Sequence, residues 1–162
     1  MITIKDNFLA QDTIDTIATE IKEKIQSTEA CWSTSHSWEG IVVEGSNSAN
    51  MSILRNGVID VKKAFENLNP FYSDLKFEAY IYLWNRNSML DWHDDSGYIA
   101  SGTIYLNQHW DASDGGLFLW KDGDTIRAEE PKFNRLILND NRQSPTLPVS
   151  YTHLRAHETM AH

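Results

Sequence analysis

The amino-acid sequence predicts an α+β domain in which two helices precede a β-rich half. Apolar residues recur at helical spacing over 12–26 and 57–69, which gives each segment one apolar face. From Phe77 onward the apolar period changes to two, as in strands with one buried face. Short, closely spaced strands favour a sandwich or barrel, such as a double-stranded β-helix (jelly-roll or cupin-like) core, with the N-terminal helices packed on one sheet.

Local signals support the individual elements. Asp12 is a suitable N-cap for the first helix, and Pro70 stops the second helical pattern. A short β-prone run at 41–43 lies in the loop between the two helices. Asp122-Gly123 predicts a hairpin. The predicted strands are 77–84, 100–106, 117–120, 125–128 and 135–138.

Bulk properties exclude several classes of protein. A length of 162 residues fits one domain, which would bury about 70% of its unfolded surface. The net charge of -9 repels phosphate, so neither nucleic acid nor an anionic membrane surface is an expected partner. Cys31 is the single cysteine, so no internal disulfide can form. With no leader-like start and no long apolar run, we expect a cytoplasmic protein.

The sharpest candidate for chemistry is the His-x-Asp pair of His93 and Asp95. In extended chain, residues two apart project to the same side, so this imidazole and carboxylate can bind one ion. A second histidine from a distant strand would complete a two-His-one-carboxylate site, which leaves positions open on Fe(II). The triplet alone is not specific, because a loop histidine beside acidic groups is more often solvated. Asp91 and Asp94 add oxygen ligands, so a calcium site is the alternative.

Four ordered segments give this pair a context. Residues 82–95 carry a tyrosine-bearing strand, a loop and Trp-His-Asp-Asp, and residues 102–107 read Gly-Thr-Ile-Tyr-Leu-Asn. Asp-Gly-Gly-Leu-Phe follows at 114–118 and Glu-Pro-Lys-Phe-Asn-Arg-Leu at 130–136. In this order and spacing, over about 78–140, the chain resembles the prolyl 4-hydroxylase and hypoxia-type prolyl hydroxylase domains of the Fe(II)- and 2-oxoglutarate-dependent oxygenases.

The resemblance implies roles for particular residues. His93 and Asp95 would be the catalytic iron ligands, and Tyr82 and Tyr105 would donate hydroxyl hydrogen bonds to 2-oxoglutarate, with Thr103 lining the same pocket. Because Tyr82 lies one residue farther from the histidine than in the hypoxia-type pattern, Tyr80 and Trp84 are alternatives. Fe(II) and 2-oxoglutarate are the implied cofactors, with ascorbate as a candidate third. The implied reaction hydroxylates a C–H bond, in a prolyl residue of a peptide or protein or in a small amino acid.

The family pattern stops at Pro145. The second histidine would fall at about Thr146 or Leu147, so we expect an oxygenase domain over 1–145, incomplete at its C-terminus. We expect residues 146–162 to be an aberrant or non-native tail, in which about 148–159 resemble translated sequencing-adapter sequence. Within that tail, His153 would be the third metal ligand and Arg155 would bind the co-substrate carboxylate. These two residues are the only way in which the chain as written completes the site. The alternatives are a catalytically dead oxygenase and a non-enzymatic β-sandwich that binds Ca2+ or another ligand.

Overall fold

The computed structural model describes residues 1–26, 33–34, 50–83, 88–142 and 149–154, with the backbone alone at Ile25, Leu83 and the strand segments 33–34, 50–53, 88–89 and 149–154. The described residues form two compact units. A β unit contains Met1–Asn7 and the described part of Trp84–His162, and a helical unit contains the described parts of Phe8–Ser35 and Asn50–Leu83. In this part of the chain no helix has the length and apolar character that a membrane span requires.

The described elements combine two helices with ten strands. In chain order they are β1 (Ile2–Lys5), α1 (Gln11–Gln26), β2 (Ser33–Thr34), β3 (Asn50–Ile53), α2 (Val58–Leu68), β4 (Tyr80–Leu83), β5 (Ser88–His93), β6 (Ala100–Ile104), β7 (Phe118–Asp122), β8 (Thr125–Glu129), β9 (Leu136–Asp140) and β10 (Val149–Leu154). Both predicted helices are confirmed to within one residue at each end. The predicted run at 41–43 lies outside the described residues.

The helical unit contains α1, α2 and the antiparallel sheet β2-β3-β4. Phe65 of α2 packs its ring against Phe8, Tyr72 and Phe77, at centroid distances of 5.0, 6.1 and 5.5 Å. The strand predicted at 77–84 is shorter, Tyr80–Leu83, and its residue Ile81 is buried. The aromatic contacts of one helix residue therefore organise the core of this unit.

The start of α2 depends on a carboxylate from α1. Gly57 occupies the N-cap and supplies no side chain, and a Cβ there would lie 2.8 Å from Ile17. Glu20, only 3% exposed, instead accepts hydrogen bonds from the backbone N–H groups of Arg55, Asn56 and Gly57 at 2.5, 2.9 and 3.3 Å. The N–H group of Gly57 is the first of those that have no partner within the helix, and Arg55 and Asn56 directly precede it, so Glu20 fixes the turn that leads into α2.

Two antiparallel sheets form the β unit. One has the strand order β1-β9-β6 and the other β5-β10-β7-β8. Tyr105, which follows β6, and Ile137 of β9 form one buried cluster with Phe118 and Trp120 of β7, and Ile2 packs against that cluster. The two sheets therefore share an interior, and we call the sides that carry these residues the interior faces.

Glycine conformations explain two of the sequence motifs. Gly115 and Gly116 have φ of 69° and 77°, in the left-handed region that glycine enters without a steric cost. Gly123, with φ of 62°, lies in the turn that connects the paired strands β7 and β8. The predicted hairpin at Asp122-Gly123 is therefore confirmed.

The C-terminal segment contributes a strand. Val149–Leu154 pairs antiparallel with both β5 and β7, so β10 is an inner strand of its sheet. The sequence predicted a domain that is incomplete after Pro145, and these six residues supply a further strand. The proposed boundary between 145 and 146, and the origin of the tail, stay predictions.

An ion-pair network joins the segment after β1 to the segment before β9. Asp6 accepts from Arg135 Nε at 2.5 Å and Nη2 at 3.1 Å, and Arg135 also pairs with Glu129. The hydrogen bond from Arg135 lowers the pKa of Asp6 from 3.8 to about 2. A depressed folded-state pKa means that the pair stabilises the fold above about pH 4, and that this contribution is lost as the pH falls toward 2.

Replacing Asp6 with asparagine is therefore expected to cost up to about 1 kcal/mol of unfolding free energy at pH 7. The difference from the wild type should shrink between pH 4 and pH 2, where the wild-type carboxylate becomes neutral too. Urea unfolding at several pH values measures this, with Asp124→Asn in the exposed hairpin turn as the matched control. If the difference in unfolding free energy between Asp6→Asn and the wild type did not change with pH, the low pKa of Asp6 would be contradicted.

Candidate metal centre

A register shift in β5 decides which way His93 faces. His93 pairs with Val149 and Leu90 pairs with Tyr151, so three residue steps of β5 lie opposite two steps of β10. Val149 and Tyr151 pair in turn with Trp120 and Phe118 on the other side. Directly paired residues of antiparallel strands share a face, so positions 90 and 93 both lie on the interior face with Phe118 and Trp120. An extra residue in a strand commonly re-aims a side chain in this way.

The imidazole of His93 is held by a backbone contact. Its Nδ1 lies 2.8 Å from the carbonyl oxygen of Asp91, and a carbonyl can only accept a hydrogen bond. In the neutral ring, Nδ1 therefore carries the proton and Nε2 has the lone pair. Nε2 is 3.9 Å from Oδ1 of Asp95, and the two side chains are 10% and 19% exposed. This is the tautomer that a metal-binding histidine needs, with the second nitrogen fixing the ring.

Asp95 is oriented from the opposite sheet. The hydroxyl of Ser101, on β6, donates to Asp95 Oδ2 at 2.5 Å. The Asn141 amide donates to the carbonyl oxygens of Asp95 and Tyr98 at 3.1 and 3.0 Å, which ties down the turn after β5. Oδ1 is thus the carboxylate oxygen that lies toward His93.

The other acidic groups of the segment point elsewhere. Asp91 accepts from the backbone of Trp92 and Asp94 from that of Ser96. Hydrogen bonds from Ser96 hold the pKa of Asp94 below its ordinary value, and this exposed carboxylate is ionised at neutral pH. Within the described ranges, no three His, Cys, Asp or Glu side chains converge to hold a metal ion. Asp91, Asp94 and Asp95 therefore do not form the calcium cluster considered as the alternative.

His93 and Asp95 are placed to bind one ion as a pair. Metal bonds to histidine nitrogen and carboxylate oxygen are roughly 2.0–2.2 Å long, so two ligand atoms at right angles on one ion are about 3 Å apart. The 3.9 Å between Nε2 and Oδ1 would therefore shorten by about 1 Å when an ion binds. A neutral imidazole and one carboxylate are also ligands that suit Fe(II). The pair fits a transition metal, and a third protein ligand is not present among the described side chains.

The three described residues that are predicted to bind the co-substrate are divided between the β unit and the helical unit. Thr103 lies on β6, paired with Ile137, on the interior face that carries Ser101. Tyr105 is 9% exposed and belongs to the interior cluster. Tyr82 is a half-buried residue of β4 in the helical unit, with its ring 6.3 Å from that of Tyr80. The β unit thus holds Thr103 and Tyr105 on the side of the metal pair, and the roles of all three residues stay predictions.

The remaining predicted residues lie in the C-terminal segment. His153 is in β10, where Tyr151 pairs with Leu90 and Leu154 with Ser88. Val149 is the partner of His93, and four residues of extended chain from Val149 to His153 span about 13 Å. The role of His153 as third ligand stays a prediction, and this register weighs against it. Arg155, Thr146 and Leu147 lie outside the described residues.

Comparison with solved structures connects this geometry to known proteins. A prolyl-4-hydroxylase from Pseudomonas putida matches with a TM-score of 0.71 at 17% identity, over 94% of this chain and 85% of that one. A Trichoplax adhaerens prolyl hydroxylase, solved with a peptide fragment of the hypoxia inducible factor oxygen degradation domain, gives 0.73 at 16% identity, over 96% and 78%. The chain has the prolyl hydroxylase fold.

A 2OG-Fe(II) oxygenase family protein from Burkholderia pseudomallei shares the fold as well, with a TM-score of 0.61 at 11% identity, over 96% of this chain and 80% of that one. No protein-family model and no curated protein sequence matches the chain. At these low identities the comparisons show that the prolyl hydroxylase fold is shared, but they do not assign roles to individual residues. Those roles depend on the geometry of the site in this chain.

Two polar residues on the interior face beside the metal pair were missed from the sequence. Ser101 shares its strand face with Thr103 and Tyr105, so the period of two could have placed it beside the predicted pocket. Asn139 follows the apolar run Leu136-Ile137-Leu138 within the same buried strand. A buried polar residue is more informative than an exposed one, because burial requires a reason for its polarity.

Proposed function

We propose that the chain is an Fe(II)- and 2-oxoglutarate-dependent oxygenase that hydroxylates a C–H bond. The observation that carries this proposal is the pairing of His93 Nε2 with Asp95 Oδ1 on the inside of the two sheets, in a chain with the prolyl hydroxylase fold. The finer topology we propose for those sheets is the double-stranded β-helix of the 2-oxoglutarate oxygenases.

Each residue of the pair has a distinct task. His93 offers the Nε2 lone pair because Nδ1 is committed to the Asp91 carbonyl, and Asp95 offers Oδ1 because Ser101 binds Oδ2. When bound, Fe(II) and 2-oxoglutarate supply the oxygen activation, which no protein side chain can provide. The protein holds the ligands in one orientation and limits access of water to a site whose two side chains are largely buried.

Thr103 and Tyr105 are the proposed contacts to 2-oxoglutarate, because they follow Ser101 along the same strand face. A hydrogen bond from a hydroxyl group to an anionic ligand is stronger in a largely apolar interior than in water. The proposed substrate is a prolyl residue of a peptide or protein. One structure of this fold was solved with a peptide bound, which supports that substrate class.

Anaerobic titration with Fe(II) and 2-oxoglutarate tests the proposal. The purified chain should develop the weak visible band of a metal bound to a 2-oxo acid, and exposure to oxygen should then yield succinate. The His153→Ala variant tests the third ligand, since an unchanged band would show that His153 is not required. Absence of the band in the wild type would refute the proposed function.

The substrate class has its own readout. Proline-containing peptides should stimulate succinate formation and gain the mass of one oxygen atom. The matched control is the same peptide with each proline replaced by alanine.

A further inference from the structure

Asn139 is a polar residue that is buried in β9. Its side chain is 2% exposed, and neither Nδ2 nor Oδ1 meets a hydrogen-bond partner among the residues that the structure describes. Leaving a buried donor or acceptor unsatisfied costs about 1–3 kcal/mol, so each such group in a folded protein calls for an explanation.

The register places this amide next to the metal pair. Asn139 is in the central strand β9, directly between Ile2 of β1 and Ser101 of β6. Directly paired residues share a face, and Ile2 packs on the interior cluster. Asn139 is therefore on the interior face, and its cross-strand neighbour is the serine whose hydroxyl holds Asp95.

The surroundings define what would satisfy the amide. On its face Asn139 is flanked by the apolar side chains of Ile2 and Ile137, while the Ser101 hydroxyl already donates to Asp95. A suitable ligand presents an oxygen acceptor to the amide and methylene groups to the isoleucines. A short-chain 2-oxo acid has both, and an anionic oxygen strengthens the hydrogen bond that it accepts.

We propose that Asn139 binds the acid co-substrate, with Nδ2 donating to one of its carboxylate or 2-oxo oxygens. This inference rests on the proposed function and adds a residue that the sequence motifs do not identify. An isosteric leucine would pack at this position without an unsatisfied group, so the amide is a cost to the ligand-free protein that the ligand removes.

Titration of 2-oxoglutarate into the Mn(II)-loaded chain by calorimetry, together with thermal unfolding, tests the inference. Asn139→Leu should raise the melting temperature of the ligand-free protein and weaken 2-oxoglutarate binding at least about 10-fold, which corresponds to one lost hydrogen bond to a charged group. Leu138→Met, on the opposite face of the same strand, is the matched control and should leave affinity unchanged. Asn139→Ala provides a second variant with the same expected loss of affinity.

Each result is decisive. Equal affinity in the wild type and in a folded Asn139 variant would overturn the inference alone, because the amide would then be satisfied by something other than the acid. A wild-type chain that binds Mn(II) but no 2-oxoglutarate would overturn the proposed function and the inference together. Loss of affinity in the Asn139 variants with retention in Leu138→Met supports both.

Discussion

Replacing His93 with alanine is expected to lower the affinity of the chain for Fe(II) by at least about 100-fold. Removing even an outer partner of a metal ligand typically costs 10–100-fold, and His93 supplies the nitrogen of the pair itself. The visible band with 2-oxoglutarate should disappear in the same variant. Calorimetry with Mn(II), which avoids oxidation, measures the affinity, and anaerobic absorption measures the band.

His109→Ala is the matched control for this prediction. His109 is an exposed loop residue of the same unit, so its loss removes an imidazole without touching the site. Equal metal affinity in His93→Ala and the wild type would mean that the metal binds elsewhere. An equal fall in both variants would point to general surface binding by histidine.

Replacing Glu20 with alanine is expected to reduce the unfolding free energy by about 2–4 kcal/mol. Loss of an ordinary helix cap costs about 0.5–2 kcal/mol, and here three backbone N–H groups would lose a charged acceptor inside the helical unit. The cavity left by the side chain adds to the loss, since Glu20 is only 3% exposed. Equilibrium unfolding in urea measures the change.

Glu23→Ala is the control, because Glu23 is an exposed glutamate one turn further along α1. It should change stability by less than about 0.5 kcal/mol, as is usual for surface substitutions. Similar losses in the two variants would indicate a general effect of α1 composition and would contradict the capping role of Glu20.

Periodicity predicted the elements whose pattern reflects a single buried face. α1 and α2 were placed to within one residue, and β7 to β9 were located from alternation and the Asp122-Gly123 turn. β5 was not recognised, because the extra residue between Leu90 and His93 destroys its alternation. β1 and β10 were missed because short strands are defined by partners far away in the chain, which local patterns do not encode.

The site could be predicted only in part, for a related reason. His93 and Asp95 are two residues apart, so a local motif singled them out as candidates. The pairing of β6 with β9 brings Ser101 and Asn139 beside this pair, and the motif does not encode that pairing. The strand register also places His153 four residues along β10 from Val149, the residue that pairs with His93. Sequence spacing alone had left the distance between the two histidines open.

The pairing of β1 with β9 has a consequence for how the chain folds. Ile2 lies in register opposite Asn139, so this sheet is closed by pairing between residues more than 130 positions apart. Contacts of such long sequence separation slow folding, because the entropy of closing the loop is lost before the contact stabilises anything. Asn139 acquires neighbours on both sides only at that step. On a ribosome, the polar interior beside Asp95 would therefore take shape late, after almost all of the described chain had been synthesised.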